Sequence, residues 1–413
     1  MDEKKDLTKI SKNNKKRIDK KPQTVREVVD FLEHEAMYRN FPYMISELYE
    51  GENVEERLRK GWCEVTGKKD EQIRKNVQNW LNGKNTPHNR EKLFQICFAL
   101  GLDEEKSSRL LGTFSDHKIH YRNPSELAYA FALRTGRSYQ EAVRLKEETL
   151  RIYEEEIALH QDKIRKIQEK RQDNVQYKVK QSKIEEDLLY TNRNKELFEG
   201  VVSEEDYFSF IREKSVYLGT QHETAYAKFM ELLDLLQTGE EKSYSMKPEK
   251  HDNAALTVPK DRKYSLSQIE EDYLRMNVPK ISENTLQKIV SKYWPNATML
   301  NNMKNRKIEV TRKTLILLYM ATENFDVTEK NGEEFFYCDE DLEPEELYKQ
   351  RCDQMDLFLN RYGMNPLDYG NPFDLIICYA MYPALPDEEE EFVAERIEKV
   401  MEILYEEISE NED

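Results

Sequence analysis

The sequence is poor in cysteine, glycine and proline. Its 413 residues include 5 Cys, 13 Gly and 13 Pro. The cysteines are odd in number, scattered and free of any C-x-x-C pair, which supports neither a disulfide framework nor a zinc site. They are Cys63, Cys97, Cys338, Cys352 and Cys378. We expect reduced and mostly buried thiols.

Membrane and export signals are also missing. No apolar run reaches the roughly eighteen residues that a transmembrane helix needs. Residues 1–5 are polar, whereas a signal peptide needs an apolar stretch near the N-terminus. We therefore expect a protein of the cytoplasm that makes no membrane contact.

The chain lacks an excess of positive charge. Its 64 Lys and Arg oppose 81 Asp and Glu, which gives a formal net charge of −17. This balance disfavours nucleic-acid binding on average, because affinity for DNA rests largely on neutralising phosphates. The charge is uneven, however. Residues 1–22 are rich in lysine and predict a basic, disordered arm able to touch phosphate, whereas Asp387–Glu391 begin an acidic tail.

Two blocks of sequence occur twice, in the same order. Residues 79–93 align with residues 301–315 (301 − 79 = 222), and residues 121–127 align with residues 369–375 (369 − 121 = 248). Two ordered matches indicate an internal duplication, and the period is too long for a solenoid. We therefore predict two copies of one compact helical module.

Capping residues account for part of the repeated pattern. Asn89 and Thr311 precede equivalent helices, where their side chains can accept hydrogen bonds from free amides. Asn123 and Asn371, each followed by proline, do the same in the second pair of blocks. Glu126 stands where the carboxylate of a capping box can reach back to the helix start. These residues predict structural roles.

The helix at residues 70–82 has its own start and stop signals. Asp70 can cap its start. Gly83 can adopt the left-handed conformation that ends a helix. In the second copy Asn305 takes the place of Gly83, and asparagine tolerates that conformation. Both copies are therefore predicted to end this helix in the same way.

A heptad pattern follows the first module. Apolar residues recur every seven positions and are joined by a second series three positions later, which is typical of a coiled-coil seam. The two series are Val143, Leu150, Ile157 and Ile164, and Lys146, Tyr153, His160 and Ile167. The pattern fits a dimer seam or half of an internal helical hairpin. The short run and its polar members favour an internal spacer.

The acidic C-terminus also carries an apolar stripe at helical spacing. Its members are Val393, Ile397, Val400, Met401, Leu404 and Ile408. Core packing is the favoured interpretation, and a partner groove or a dimer contact is the alternative.

Charged residues make up 35% and hydrophobic residues 38% of the chain, which, with so little glycine and proline, favours an all-α fold with few strands. The prediction is two helix-turn-helix-like modules joined by a long, coiled-coil-like helical spacer. The predicted segments are a basic disordered arm (1–22), a first module with an Asn-Pro capped extension (23–141), the helical spacer (142–243), a linker (244–264), a degenerate second module (265–385) and an acidic amphipathic helix (386–413).

The first block also resembles a known DNA-binding family. Residues Trp80–Pro87 (WLNGKNTP) stand directly before a capped helix that ends in residues 98–102 (FALGL). This segment resembles the Cro/C1-type (XRE-like) helix-turn-helix family, which shows Trp, Gly, Lys and Pro at this spacing after its recognition helix. The resemblance is good over residues 72–102 and faint in the second copy. The Asn-Pro extension is similar to that of uncharacterised bacterial proteins with divergent modules of this type.

The resemblance implies that residues 70–82 form the recognition helix and that double-stranded DNA is the partner. Arg and Lys side chains can reach guanine or phosphate, and Asn and Gln can pair with adenine. The implied contact residues in the first module are Arg74, Lys75, Gln78 and Asn79 on the helix and Lys84 in the following loop. The basic string of the second module adds Lys304, Arg306 and Lys307.

No catalytic constellation is recognisable. His117 and His120 beside Asp116 form a metal-ligand pair without a third ligand in sequence reach. Glycine-rich phosphate loops are absent, and acidic runs such as Asp339–Asp341 fit a solvated surface. The sequence therefore predicts a protein that is not an enzyme and that needs no metal or cofactor.

Two functions fit these observations. In the first, the chain is a DNA-binding, transcription-regulator-like protein whose two modules imitate the two halves of a dimer. In the second, it is an adaptor or scaffold whose modules bind protein partners, or self-associate through the spacer and the C-terminal helix, as would suit a bacterial regulatory or phage-defence system. The motif favours the first function, and the net charge favours the second.

Overall fold

The computed structural model describes most of the chain. The described residues are 9–19, 24–87, 89–115, 117–160, 194–219, 223–238, 264–279, 282, 284–292, 294–322, 327–330, 333–336, 343–382 and 393–406. Several predicted features lie outside them: residues 1–8 and 20–22 of the basic arm, Asp116, the spacer over 161–193 with Ile164 and Ile167, the linker over 244–263, Cys338, Asp339–Asp341, and residues 386–392 and 407–413 of the tail.

The fold is built from helices, as predicted for an all-α protein. The helices up to residue 219 are α1 (Lys9–Ile18), α2 (Val25–Asp30) with a π-helical turn (Phe31–Glu35), α3 (Phe41–Leu48), α4 (Val54–Thr66), α5 (Asp70–Leu81), α6 (Arg90–Leu100), α7 (Glu104–Phe114), α8 (Pro124–Arg134), α9 (Tyr139–Leu159) and α10 (Glu204–Lys214) with a 3-10 turn (Ser215–Tyr217).

The later helices include shorter ones. They are α11 (Glu223–Thr238), α12 (Leu266–Ile269) with a π-helical turn (Glu270–Leu274), α13 (Thr285–Ser291), α14 (Ala297–Lys304), α15 (Arg312–Ala321), α16 (Pro344–Arg361), α17 (Pro372–Ala380) and α18 (Val393–Leu404). One antiparallel hairpin, β1 (Val327–Lys330) with β2 (Glu333–Phe336), interrupts the helices of the described chain. Every helix in the described parts is too short or too polar to cross a bilayer.

The chain divides into two compact units. The first unit comprises residues 39–223 and 361–365, and the second comprises residues 1–38, 224–360 and 366–413. Each unit contains one copy of the duplicated blocks. The division differs from the predicted segments, because the described residues 9–19 and 24–38 belong to the unit of the second copy.

Three aromatic rings join helices α3, α4 and α5 of the first unit. The ring of Trp80 on α5 lies 5.1 Å from that of Trp62 on α4 and 6.4 Å from that of Phe41 on α3, edge-on in both cases. All three side chains are buried. Edge-on ring pairs contribute roughly 0.5–1.5 kcal/mol beyond the burial of their area. The cluster therefore fixes one face of α5 against the unit and leaves the opposite face outside.

The expected helix caps of the repeated blocks are confirmed. The side chains of Asn89 and Thr311 accept hydrogen bonds from amides in the first turns of α6 and α15. Asn123 and Asn371 cap α8 and α17, and the proline after each stands at the first helical position. The predicted capping-box role of Glu126 is wrong, because its carboxylate binds an arginine and a loop amide instead.

Helix α9 packs inside the first unit through a stripe that differs from the heptad positions. Its buried residues are Ala142, Leu145, Thr149 and Ile152, and the helix packs against α8 and α10. The predicted seam residues Val143, Leu150 and Ile157 are only partly buried. Packing within the unit therefore does not use the heptad positions, and the seam stays a prediction.

The basic arm is also ordered over the part that the structure describes. Residues 9–18 form α1, and Ile10 and Ile18 are buried in the second unit. Helix α2 packs against α18, which buries Val393, Ile397, Val400, Met401 and Leu404. Core packing of the C-terminal stripe is therefore confirmed, whereas disorder of residues 9–18 is wrong because apolar and amide side chains anchor them.

A glycine sets the distance between α4 and α6. A Cβ atom built on Gly61 would lie 2.1 Å from the carbonyl oxygen of Ala99. No real Cβ atom approaches a backbone oxygen so closely, so the two helices are packed backbone to backbone. The position of α6 against α4 therefore depends on the absence of a side chain at Gly61.

We expect Gly61→Ala to lower the free energy of unfolding by about 1–3 kcal/mol, because the added methyl group forces α4 and α6 apart. Chemical denaturation followed by circular dichroism measures the change. Gly200→Ala is the matched control, since a Cβ there meets its nearest atom, the Leu197 carbonyl oxygen, at an ordinary 3.5 Å. The control is expected to change stability by less than about 0.5 kcal/mol. Equal effects of the two substitutions would contradict the close packing.

Candidate nucleic-acid interface

Helix α5 has one buried and one exposed face, as predicted. Ile73, Val77 and Trp80 are buried. On the other side Arg74 and Lys75 are exposed. Spacings of four and three residues place the three buried side chains on one face of the helix, and both cations lie outside that face. The cationic pair therefore projects from the unit on a rigid element.

The amide side chains of α5 lie closer to the protein. Gln78 and Asn79 are half-buried. The Nε2 atom of Gln78 donates to Oε1 of Glu55 on α4, at 3.2 Å. A carboxylate thus stands beside the amide that is predicted to read bases, and it orients that amide. Binding of DNA through Gln78 requires this hydrogen bond to be exchanged.

The turn before α5 differs from the prediction. Asp70 is the first residue of the helix, and Lys69 occupies the cap position. The carboxylate of Asp70 binds Arg59 of α4, with Nε donating to Oδ1 at 2.7 Å and Nη2 donating to Oδ2. The hydrogen bond from Arg59 lowers the pKa of Asp70. Asp70 therefore ties α4 to α5 and does not cap the helix.

The loop after α5 displays Lys84. Gly83 has a φ of 68°, the left-handed conformation that was predicted to end the helix. The amide of Lys84 donates to the Asn79 carbonyl at 2.9 Å. This pair of features folds the chain back over the helix end and leaves the Lys84 side chain exposed. Lys84 thus lies next to the C-terminal end of α5.

The second copy repeats this geometry with a shift of one residue. Leu300 and Met303 of α14 take the buried places of Val77 and Trp80, so the offset is 223 (303 − 80) along this helix. The offset returns to 222 at the cap Thr311 (311 − 89), so the connecting loop is one residue shorter in the second copy. Burial of Met303 sets this register.

The left-handed residue of the second copy is consequently Arg306. Its φ is 56°, whereas Asn305 has a φ of −87°, so the prediction for Asn305 is wrong. The amide of Arg306 donates to the Met303 carbonyl at 2.9 Å, as Gly83 does to Trp80 at 3.1 Å. For a residue with a Cβ this conformation costs roughly 1–2 kcal/mol.

Tyr226 of α11 covers the end of α14. Its hydroxyl donates to the Lys304 carbonyl at 2.8 Å, and the Arg306 guanidinium lies 4.0 Å from its ring centre. Lys304 is half-buried, whereas Lys307 is exposed. The three cations predicted for the second module therefore do not form one outward row, because a tyrosine engages the helix end.

Both copies share a charged network that the sequence analysis did not assign. Arg90 donates to both carboxylate oxygens of Glu126, at 2.5 and 2.7 Å, and Arg312 donates to both of Asp374, at 2.8 Å each. Each arginine is the first residue of its helix. The pairs lie at the same two offsets as the blocks (312 − 90 = 222 and 374 − 126 = 248). The sequence repeat therefore marked the two arginines as equivalent, and likewise the two carboxylates, and this was the available signal for the network.

Loop groups complete this network in the same order. The amide of His120 donates to Glu126 at 2.8 Å, and the amide of Asp368 donates to Asp374 at 2.7 Å. The guanidinium of Arg90 also donates to the Lys118 carbonyl at 2.6 Å, and that of Arg312 donates to the Pro366 carbonyl at 3.1 Å. Each arginine thus binds a carboxylate and the loop before it. We call each set, Arg90 with Glu126 and Arg312 with Asp374, a clamp.

We expect Asp374→Asn to lower the free energy of unfolding by about 3–5 kcal/mol, since it leaves the charge of Arg312 buried without a counter-charge. Glu126→Gln is the matched variant in the other clamp, where the arginine side chain is 28% exposed against 8% for Arg312. Water can solvate Arg90, so Glu126→Gln is expected to lower the free energy of unfolding by less than Asp374→Asn does. Urea denaturation measures both, and a larger loss for Glu126→Gln would contradict this ranking.

The predicted histidine pair does not acquire further ligands among the described residues. The rings of His117 and His120 lie 6.2 Å apart, edge-on. In the described part of the chain no three His, Cys, Asp or Glu side chains converge as metal ligands do.

Comparisons with known proteins found no match. Neither a protein-family model, nor a curated protein, nor a solved structure matches this chain.

Proposed function

We propose that the chain is a DNA-binding, transcription-regulator-like protein that contacts duplex DNA through α5 and the loop after it. The observation that carries the proposal is the exposed face of α5, where Arg74 and Lys75 project from a helix fixed by a buried aromatic cluster. A helix of this width fits the major groove, and arginine and lysine reach base edges or phosphates there. Lys84 adds a phosphate contact from the loop.

We further propose that the two modules arose by duplication and that they have diverged in role. The repeated clamps support a common origin, because independent helices have no reason to place the same contacts at the same two offsets. The cover that Tyr226 provides over α14 supports a structural role for the second copy. The first copy is then the one that enters the groove, and the second copy serves as a packing module.

A protein-binding adaptor is the second candidate. The contact of Gln78 with Glu55 and the net charge of −17 favour it, because both oppose the approach of phosphate. The helical modules would then bind a protein partner, for which neutralisation of phosphates is not needed. DNA binding and its salt dependence separate the two functions.

We expect Lys75→Glu with Lys84→Glu to weaken binding to duplex DNA at least tenfold at low salt. Each reversal replaces a phosphate contact by repulsion. Fluorescence anisotropy with a labelled random-sequence duplex measures the dissociation constant. The matched control is Lys195→Glu with Lys349→Glu, which reverses two exposed lysines outside α5, one in each unit. Equal binding by the α5 double variant and the parent would refute the assignment of α5.

We expect Glu55→Gln to raise DNA affinity. It removes a negative charge beside the recognition helix while it keeps a side chain that can bind Gln78. Two unit charges about 4 Å apart in water interact with an energy of roughly 1 kcal/mol, which corresponds to a factor of about five in the dissociation constant. The same anisotropy assay measures the change, with Glu199→Gln on the surface of the first unit as the control. A loss of affinity would contradict the unfavourable role given to Glu55.

A further inference from the structure

Helix α1 is anchored to the second unit by one face. Ile10 and Ile18 are buried there. The amide nitrogen of Asn14 donates to the Met37 and Tyr369 carbonyls, both at 2.7 Å, and its oxygen accepts from the Met37 amide at 3.4 Å. The nitrogen and the oxygen of the buried Asn14 side chain thus both have hydrogen-bond partners. The helix is held in one orientation about its axis, so its remaining side chains face a fixed direction.

The opposite face carries a row of lysines. Helix α1 contains Lys9, Lys12, Lys15, Lys16 and Arg17 and no acidic residue. Lys15 and Arg17 pair with Asp19 and Glu35. Lys9, Lys12 and Lys16 are exposed, and their spacing of three and four residues places them on one side of the helix. A strongly anionic chain thus keeps three cations in line on an anchored element.

The row suits the phosphate backbone of a duplex. From Lys9 to Lys16 the helix rises about 10 Å, at 1.5 Å per residue. Long, flexible lysine side chains spread over that length can reach neighbouring phosphates of one DNA strand. A lipid surface is disfavoured, because a helix that lies on a membrane needs a free apolar face, and Ile10 and Ile18 are already buried within the unit.

We propose that α1 presents Lys9, Lys12 and Lys16 as a contact surface for the phosphate backbone of duplex DNA, distinct from the side chains of α5. This inference rests on the proposed function, because it takes DNA as the partner. The contact is independent of base sequence, since ammonium groups on phosphates carry no base information. It supplies electrostatic affinity that the average charge of the chain lacks.

The test is the salt dependence of DNA binding by the full-length chain. Lys12→Gln with Lys16→Gln is expected to reduce the slope of log affinity against log salt concentration by about 1.8, at 0.9 for each lost phosphate contact. Lys12→Arg with Lys16→Arg is expected to keep the parental slope, because both charges remain. Lys195→Gln with Lys349→Gln, two exposed lysines elsewhere, is the matched control and is also expected to keep it.

The outcomes separate this inference from the proposed function. A parental slope for Lys12→Gln with Lys16→Gln overturns the role of α1, even where the α5 double variant loses affinity. A reduced slope beside an unaffected α5 double variant supports α1 and refutes the assignment of α5. Competition by polyglutamate that depends on Lys12 and Lys16, with an unchanged DNA slope, identifies an acidic peptide as the ligand and overturns the inference. A parent chain that binds no duplex DNA refutes both proposals.

Discussion

The arrangement of each unit depends on one ion pair between helix starts that are distant in sequence. Arg312 and Asp374 stand at the first turns of α15 and α17, and both are buried. Arg90 and Glu126 form the corresponding ion pair between the first turns of α6 and α8 in the first unit. A buried arginine must satisfy its donors within the protein, so the helix starts and the preceding loop are fixed together. In the first unit this fixes α6, the helix that follows the Lys84 loop.

The copies have kept this pair and have changed the helix in front of it. Leu300 and Met303 preserve the buried stripe of α14, which shows that packing against the unit constrains those positions. The helix end tolerates more change, since Arg306 stands in a conformation that glycine adopts at lower cost. The contact with Tyr226 offsets part of that strain. Such a change is compatible with the packing role that we propose for the second copy.

Local features of the fold and of the candidate site could be predicted from the sequence. The caps at Asn89 and Thr311 and the two faces of α5 depend on residues within one or two turns, and these residues carry the signal. The heptad pattern did not predict which stripe of α9 packs within the unit, because α9 buries Ala142 and Thr149, which contribute little apolar signal.

Contacts between distant residues could not be predicted in this way. The hydrogen bond of Asn14 with Tyr369 spans most of the chain, and the cover of α14 by Tyr226 joins segments without sequence periodicity. The clamps were visible only as matched positions, because a repeat shows which residues correspond and not which residues touch. Polar side chains that join remote segments leave no local pattern.

The second unit is discontinuous in sequence, and this has a consequence for synthesis on the ribosome. Residues 9–38 leave the ribosome before residues 39–223, whereas α18, which α2 packs against, is synthesised after both. The first unit draws mainly on residues 39–223 and can fold as soon as they have left the exit tunnel. Until α18 has been synthesised, Val28 and Val29 of α2 lack the helix that covers them in the folded unit. The second unit therefore assembles after the first has had time to fold.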